Sequence, residues 1–149
     1  MAHTLTNLWF HVIFGTKGHA PSIASEVRAP LHGYIGGVVR ELKGTAICVN
    51  GTSDHIHALI KLPPTIPVAD VMRVIKTNSS KWVHETHGRR DFSWQSGYAA
   101  FTVSESGLNA VRSYIERQEE HHRVRTFREE YLEFLEKNGI AYDPKYVFE

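Results

Sequence analysis

Two histidines separated by one residue are the first candidates for chemistry in this sequence. His55 and His57 stand in the segment GTSDHIHALIKL, directly after Asp54. In a β-strand, residues i and i+2 project from the same face, so the two imidazoles would lie side by side. Paired imidazoles are typical of a metal site, which needs a third and usually a fourth ligand. Taken alone, the pair is more often two polar residues on the solvent-exposed side of a sheet.

A tyrosine and a glutamine in a later segment could supply what the histidine pair lacks. Tyr114 and Gln118 are four residues apart in NAVRSYIERQEEHH, so in a helix they share one face about one turn apart. A phenol becomes a nucleophile once it is activated, and an amide oxygen can ligate a cation. Taken alone, Tyr114 is more often a boundary residue of an amphipathic helix, and Gln118 is more often a solvated side chain.

The elements that would position these residues follow from hydrophobic periodicity and turn residues. The chain has 149 residues, and we expect residues 1–149 to form one domain. Strands are predicted at Leu8–Thr16, Thr45–Asn50, His55–Leu62 and Tyr98–Val103. Helices are predicted at Glu26–Lys43, from Pro67 to about His87, from Ser104 or Glu105 to His122, and at Phe127–Asn138.

The order of these elements predicts the fold. It is β-α-β-β-α-β followed by helices, which indicates an α+β protein with a ferredoxin-like antiparallel sheet. Both early helices would cover one face, and the apolar partners of the histidines in their strand suit that packing: Ile56, Ala58, Ile60 and Leu62. His55 and His57 would then point to the other face, which only the C-terminal helices could reach. The third helix would carry Tyr114.

Bulk composition narrows the class of protein. The net charge is +1 at pH 7, so total charge does not argue for a nucleic-acid partner. No segment approaches the roughly 20 apolar residues of a membrane-spanning helix, and the first residues lack the layout of a secretory signal. We therefore expect a cytoplasmic protein. The single cysteine, Cys48, excludes an internal disulfide and a thiolate metal cage.

Charged residues crowd the segment from 112 to 130. A solvated helix face with internal ion pairs is the usual meaning of such a run, and a groove that binds phosphates is the alternative. The cations are Arg112, Arg117, Arg123, Arg125 and Arg128, and the acidic residues are Glu116, Glu119, Glu120, Glu129 and Glu130.

Several separate blocks of the sequence together resemble one family. The blocks are FHVIFGTK, VNGTSDHIHALIKLPP, WQSGYAAFTVS, YIERQEEHH and TFREEY, in this order along the chain. They resemble the HUH single-tyrosine transposases of small bacterial insertion sequences and their REP-associated relatives. The resemblance runs from about Trp9 to Tyr146, and agreement over several blocks is far more specific than a histidine pair.

The resemblance implies a set of site residues. His55 and His57 match the histidine pair of the family, Tyr114 matches its nucleophile, and Gln118 matches the polar residue that completes the metal site. The implied cofactor is a divalent metal, Mg²⁺ or Mn²⁺. His121 and His122 match a looser tail of the motif and are expected outside the ligand set, as are His11 on the first strand and Asp54, which also suits a turn.

The resemblance also implies a reaction and partners. Tyr114 would attack single-stranded DNA, with a hairpin as recognition element, and form a covalent 5′-phosphotyrosine. The implied assembly is a homodimer in which active sites can be shared between subunits. We predict backbone contacts from seven cations: Lys17, Arg28, Lys76, Lys81, Arg89, Arg90 and Arg123.

Three other functions fit parts of the same sequence. One is a domesticated relative that cleaves repetitive genomic hairpins. Another is a non-catalytic module that holds single-stranded nucleic acid on the open sheet face. The last is a metal-dependent enzyme that acts on a small molecule in the same cleft.

Overall fold

The computed structural model of the protein describes residues 2–149 and is built on one antiparallel sheet of four strands. In spatial order these are β2 (Thr45–Gly51), β3 (His55–Leu62), β1 (Leu8–Gly15) and β4 (Ala99–Val103). The helices are α1 (Ser25–Glu41), α2 (Val68–His87), α3 (Leu108–Glu116), α4 (Gln118–His121) and α5 (Phe127–Lys137), with 3-10 turns at Lys17–His19 and Glu105–Gly107. The predicted α+β class and the antiparallel sheet are confirmed.

One face of the sheet forms the main core with α1 and α2. Val12 and Phe14 of β1 lie beside Ile56 and Ile60 of β3, and all four are fully buried. These residues alternate along their strands, so one face of each strand meets the helices while the other remains for the second layer. The predicted alternation in β3 is confirmed.

The other face of the sheet is covered by the C-terminal helices. Ile115 of α3 packs on Trp9 and Leu59, and α5 packs its aromatic residues on Ile13 and β4. His55 and His57 project into this layer and have no solvent exposure. The interpretation of the pair as two solvated polar residues is therefore wrong.

The helix predicted to run without interruption to His122 is broken at Arg117. Its backbone leaves the helical region there, with φ −104° and ψ 29°, so that α3 ends at Glu116 and α4 begins at Gln118. The Asn50 side chain on β2 donates from Nδ2 to the Ile115 carbonyl at 2.9 Å. A carbonyl at the end of a helix lacks its usual partner, and Asn50 supplies one from the sheet.

Replacing Asn50 with alanine should therefore loosen the end of the helix that carries Tyr114. The Ile115 carbonyl would lose its side-chain donor, and we expect the free energy of unfolding to fall by about 1 kcal/mol. Urea unfolding of the variant and of Asn78→Ala measures this. Asn78 is exposed on α2 and should show no loss; equal destabilisation of both variants would refute the role of Asn50.

Helix α5 starts at a well-defined capping box. The Thr126 hydroxyl accepts a bond from the Glu129 amide at 3.2 Å, and the Glu129 carboxylate accepts one from the Thr126 amide at 3.3 Å. Such reciprocal bonds fix the first turn of a helix, and here they set which α5 residues face the sheet. Within residues 2–149, no helix has both the length and the apolar character needed to cross a membrane.

Candidate active site

Side chains from four elements converge on the covered face of β3. His55 and His57 come from β3, Tyr114 from the last turn of α3, Gln118 from the start of α4 and Glu130 from the first turn of α5. His55, His57, Gln118 and Glu130 are fully buried, and Tyr114 is half-buried. Polar groups enclosed in this way need hydrogen-bond partners or a bound ion.

His55 faces two oxygen atoms that it cannot satisfy together as a neutral ring. Its Nδ1 lies 2.8 Å from Asp54 Oδ1, and its Nε2 lies 2.9 Å from Gln118 Oε1. A neutral imidazole has one N–H, whereas both oxygens are acceptors. If Nδ1 donates to Asp54, the Nε2 lone pair meets the Gln118 oxygen, and a positive charge between them resolves the conflict. Asp54 thus orients His55 as well as closing the turn.

His57 is held from both sides by buried side chains. Its Nδ1 lies 2.7 Å from His11 Nε2, and its Nε2 lies 2.8 Å from Glu130 Oε1. Burial lowers the pKa of His57 to about 4, and burial together with His57 lowers that of His11 to about 3. Both rings are therefore neutral at pH 7. Because the single N–H of His57 faces the Glu130 carboxylate, His11 Nε2 donates to the bare Nδ1 of His57.

Glu130 is the centre of the hydrogen-bond network. Its carboxylate lies 2.8 Å from His57 Nε2, 3.1 Å from His122 Nε2 and 3.4 Å from Gln118 Nε2, and it accepts a short bond from the Tyr114 hydroxyl. Burial alone would raise the pKa of Glu130, but the donors outweigh burial and hold this pKa well below its usual range. The protein therefore carries one buried negative charge against the histidines.

The Tyr114 hydroxyl lies between this carboxylate and an arginine. It donates to Glu130, and Arg125 Nη2 donates to the same hydroxyl oxygen at 3.0 Å. His121 stacks on the tyrosine ring, with centroids 4.3 Å apart. Burial and the bond to Glu130 raise the pKa of Tyr114 above its usual value of about 10. The phenol is thus protonated at neutral pH and needs activation before it can attack.

The donor atoms of this cluster fit a divalent cation. His55, His122 and Glu130 each offer one ligand atom, and these three atoms all lie within 4.8 Å of one another. His57 Nε2 contacts the same Glu130 carboxylate, and Gln118 Oε1 contacts His55 Nε2. The buried carboxylate offsets part of a cation's charge, and the unpaired acceptors of His55 and Gln118 match what a cation requires. Oxygen ligands suit Mg²⁺, and imidazole nitrogens extend the preference to Mn²⁺.

The neutral buried histidines predict that the metal-free protein loses stability in mild acid. In the unfolded chain both histidines bind protons below about pH 6.5, whereas in the folded protein His57 stays neutral down to about 4 and His11 to about 3. The free energy of unfolding should therefore fall between pH 6.5 and 4, by about 2 kcal/mol per histidine at pH 5.

Urea unfolding with EDTA at pH 7 and pH 5 measures this loss. His11→Asn keeps a partner for His57 and should reduce the loss by about 2 kcal/mol at pH 5, because one titrating ring is gone while His57 remains, as does His32, whose pKa burial also lowers to about 4. An unchanged loss in this variant would contradict the assignment of the dependence to these rings.

Glu130 is the residue of this network that the sequence interpretation misplaced. The charged run from 112 to 130 indicates a solvated helix face, yet Glu130 is fully buried. The signal was its spacing in α5: Phe127, Tyr131 and Phe134 form the stripe that packs on the sheet, and Glu130 lies within that stripe three residues after Phe127. A carboxylate at the centre of an apolar stripe needs a buried partner. His122, expected outside the ligand set, also reaches Glu130.

The seven cations predicted to contact DNA are not brought together. Lys76 donates to the carbonyls of Ser96 and Gly97 at 2.8 and 2.9 Å, which ties α2 to a loop. Four residues lie on α2 or directly after it, away from the site's face of the sheet: Lys76, Lys81, Arg89 and Arg90. Lys81 and Arg89 lie within 4.0 Å of surface glutamates.

Three of the seven lie in other surroundings. The Arg28 side chain donates to the Ile23 carbonyl and lies 4.0 Å from Glu119 of α4. Arg123 lines a cleft of about 310 Å³ with Asn50 and Arg117, next to the break between α3 and α4. Lys17 lines a second cleft with Arg128 and Lys145. Arg123 therefore lies beside the helices that carry Tyr114 and Gln118, whereas the α2 cations lie on the opposite layer of the sheet.

One chain brings all of these groups together. Tyr114 lies beside the histidine pair of its own chain, with a ring-centroid distance of 5.9 Å to His57. The homodimer, with active sites shared between subunits, involves a second chain and stays a prediction.

Known proteins match both the sequence and the fold. Residues 4–118 match the family model described as "Transposase IS200 like". The transposase for insertion sequence element IS200 of Salmonella typhimurium LT2 is 29% identical over 128 residues, covering 79% of this chain and 81% of that protein. The Salmonella typhi protein of the same description matches to the same extent.

Two solved structures share the fold at lower identity. The crystal structure of a proposed transposase from Deinococcus radiodurans R1 aligns with a TM-score of 0.63 and 21% identity, covering 79% of this chain and 95% of that one. A REP-associated tyrosine transposase bound to a REP hairpin aligns with a TM-score of 0.61 and 14% identity, covering 82% and 72%. At these identities the likeness concerns the fold.

Proposed function

Since this chain belongs to the family of IS200-like transposases, we propose that it cleaves and rejoins single-stranded DNA through a covalent bond to Tyr114. The observation that carries the proposal is the position of the Tyr114 hydroxyl. It bonds to Glu130 within a cluster of histidine, amide and carboxylate ligands, on a single chain. A nucleophile that adjoins a cation site is the arrangement that phosphodiester cleavage requires.

Four residues would hold the cation: His55, His57, Gln118 and Glu130. Their donors are two imidazole nitrogens, an amide oxygen and a carboxylate. His122 is a further candidate ligand, because its Nε2 lies 3.1 Å from Glu130 Oε1 and it belongs to the group of atoms close enough to share a cation. When bound, Mg²⁺ or Mn²⁺ supplies positive charge to the phosphate oxygens and to the departing oxygen. Asp54 and His11 would fix the ring orientations of His55 and His57 through their Nδ1 atoms.

The chemical step balances with the residues present. The Tyr114 oxygen bonds to phosphorus and the bond from phosphorus to the 3′ oxygen breaks, so the DNA is held as a 5′-phosphotyrosine and a 3′-hydroxyl is released. The phenolic proton is released to water while Glu130 holds the hydroxyl in position through its hydrogen bond, and the departing oxygen takes a proton from water. Attack by another 3′-hydroxyl reverses the step and joins DNA without ATP, because the linkage keeps the energy of the phosphodiester.

The substrate that we propose is single-stranded DNA with a hairpin. Support comes from the family, and from the similar fold of a REP-associated transposase that was solved bound to a REP hairpin. Four of the predicted contacts line clefts on this chain: Lys17, Lys76, Lys81 and Arg123. We favour Arg123, because its cleft adjoins the break between α3 and α4, whereas the bonds of Lys76 to loop carbonyls favour a structural role.

Incubation with a library of hairpin-bearing single-stranded DNA tests the proposal. With Mg²⁺ or Mn²⁺ present, we expect a protein–DNA adduct that survives denaturing electrophoresis and that EDTA abolishes. Failure of every DNA to form an adduct would overturn the proposal and favour a module that binds nucleic acid without cleaving it.

A further inference from the structure

A cavity adjoins Tyr114 and is distinct from the cluster of metal-binding groups. It has a volume of about 230 Å³ and lies between α3 and α5, with His11 of β1 also in its lining. Tyr114 lines it, whereas His55, Gln118 and Glu130 do not. Sites that enclose drug-sized molecules have roughly 300–1,000 Å³, so this cavity suits a single ring system.

The walls of the cavity are apolar and its cations lie beside them. Ala110 and Val111 of α3 face Phe134 of α5, and the Phe134 ring meets the Tyr114 ring edge-on at 5.4 Å. Aromatic and apolar surfaces of this kind accept a nucleobase, which can stack or make edge contacts without a matched set of hydrogen bonds.

Two cations share one carboxylate at this cavity. Arg125 and Lys137 line it, and both form ion pairs with Glu133; the lysine contact is 2.8 Å. The three groups together carry one net positive charge. A guanidinium has five N–H donors, and Arg125 uses them on Glu133 and on the Tyr114 oxygen at 3.0 Å, so donors remain for a phosphate.

The position of Arg125 links the cavity to the reaction. In the phosphotyrosine, the 5′-phosphate is bonded to the oxygen to which Arg125 now donates. The non-bridging oxygens of that phosphate would lie two bonds from the same atom, within reach of the guanidinium. Arginine binds phosphate through charge-assisted bonds, which are stronger than neutral ones. The nucleotide that carries this phosphate must begin at Tyr114, where the cavity opens.

We propose that this cavity binds the nucleotide that stays attached to Tyr114 after cleavage, with its base against Phe134 and Val111 and its 5′-phosphate on Arg125. The inference rests on the proposed function, because it assigns a binding site to the nucleotide on the 3′ side of the cleaved bond. It makes Arg125 a binding residue for the scissile phosphate and makes the cavity a determinant of which base follows the cut.

A binding measurement without cleavage tests this inference. The probes are random DNA trinucleotides labelled with fluorescein at the 3′ end, with either a 5′-phosphate or a 5′-hydroxyl. Fluorescence anisotropy is recorded with EDTA, so that no cation attracts the phosphate. We expect the 5′-phosphate to improve affinity at least about tenfold, the effect of a charge-assisted hydrogen bond.

Two pairs of variants distinguish binding in the cavity from non-specific attraction of DNA to surface cations. Arg125→Gln should remove the advantage of the phosphate, whereas Arg112→Gln should keep it, because Arg112 is exposed and pairs with Glu116. Ala110→Trp should fill the cavity and weaken both probes, whereas Asn109→Trp, on the neighbouring exposed position outside the cavity, should not. Circular dichroism verifies that each variant folds.

The outcomes distinguish this inference from the proposed function. Equal binding of the two probes, or a phosphate advantage that survives Arg125→Gln, overturns the inference even if the adduct assay succeeds. Absence of any adduct would overturn the proposed function. The anisotropy measurement would still decide whether the cavity binds a 5′-phosphorylated nucleotide through Arg125.

Discussion

Tyr114→Phe should abolish the covalent protein–DNA adduct and leave the fold intact. The substitution removes the one oxygen that would bond to phosphorus, so we expect adduct formation to fall by at least about three orders of magnitude. The ring keeps its contacts with His121 and Phe134. Glu130 loses one of its donors and retains His57, His122 and Gln118, so the stability change should stay within about 1 kcal/mol.

Tyr131→Phe is the matched control for this substitution. Tyr131 is a buried tyrosine of α5 in the same layer, packed against Phe127 and outside the donor cluster. The control should form the adduct at the normal rate. His57→Ala should reduce the adduct strongly because it removes a proposed cation ligand. Adduct formation by Tyr114→Phe at normal yield would place the nucleophile elsewhere.

The arrangement of the histidines was largely predictable from the sequence. Alternation in β3 separates His55 and His57 from Ile56 and Ala58, and the order of elements assigns the apolar face to α1 and α2. The residue pairing of β3 with β1, which sets His57 beside Ile13, places the pair near the centre of the sheet. Burial of the pair then follows once the C-terminal helices cover that face.

The break at Arg117 was not predictable from helical periodicity. Residues 105–122 contain no proline and keep an apolar stripe, so local preferences favour one continuous helix. At the break, Asn50, which is more than sixty residues away in sequence, donates to the last carbonyls of α3 in place of backbone amides. Tertiary hydrogen bonds of this kind override local propensity, and they turn Gln118 towards His55.

The surface cations show a different limit of sequence interpretation. Whether a lysine is free to bind phosphate depends on which carbonyls and carboxylates the fold brings to it. Lys76 meets two loop carbonyls, and Arg125, which was assigned to a solvated helix face, instead reaches the Tyr114 oxygen. Charge patterns in sequence carry no information on such partners, which come from elements distant in the chain.

Glu130→Gln should weaken the binding of Mn²⁺ and destabilise the metal-free protein. The carboxylate is the only charged oxygen in the ligand set that we propose, and its loss removes a full negative charge from beside the cation. We expect the affinity for Mn²⁺ to fall by at least about 10-fold, because removing a group that only hydrogen-bonds to a metal ligand already costs about 10-fold to 100-fold. Isothermal titration and the EPR signal of bound Mn²⁺ both measure this without DNA.

The stability effect has a separate cause. A glutamine offers one oxygen and adds two N–H donors, so it cannot accept from His57, His122 and Tyr114 as the carboxylate does. Buried donors left without an acceptor cost about 1–3 kcal/mol each, and we expect a loss of about that size in EDTA. Glu129→Gln is the control, because Glu129 is exposed one residue earlier and an amide oxygen can still cap α5.

The two measurements on Glu130→Gln separate a ligand from a structural anchor. Lower affinity for Mn²⁺ together with lower stability fits a carboxylate that organises the site and also faces the cation. Lower stability with unchanged Mn²⁺ affinity would restrict Glu130 to holding Tyr114 and His57, and the ligand set would then reduce to His55, His57 and Gln118. Because Glu130 joins the tyrosine to the histidines through direct bonds, the same variant should also shift the position of the nucleophile relative to the cation.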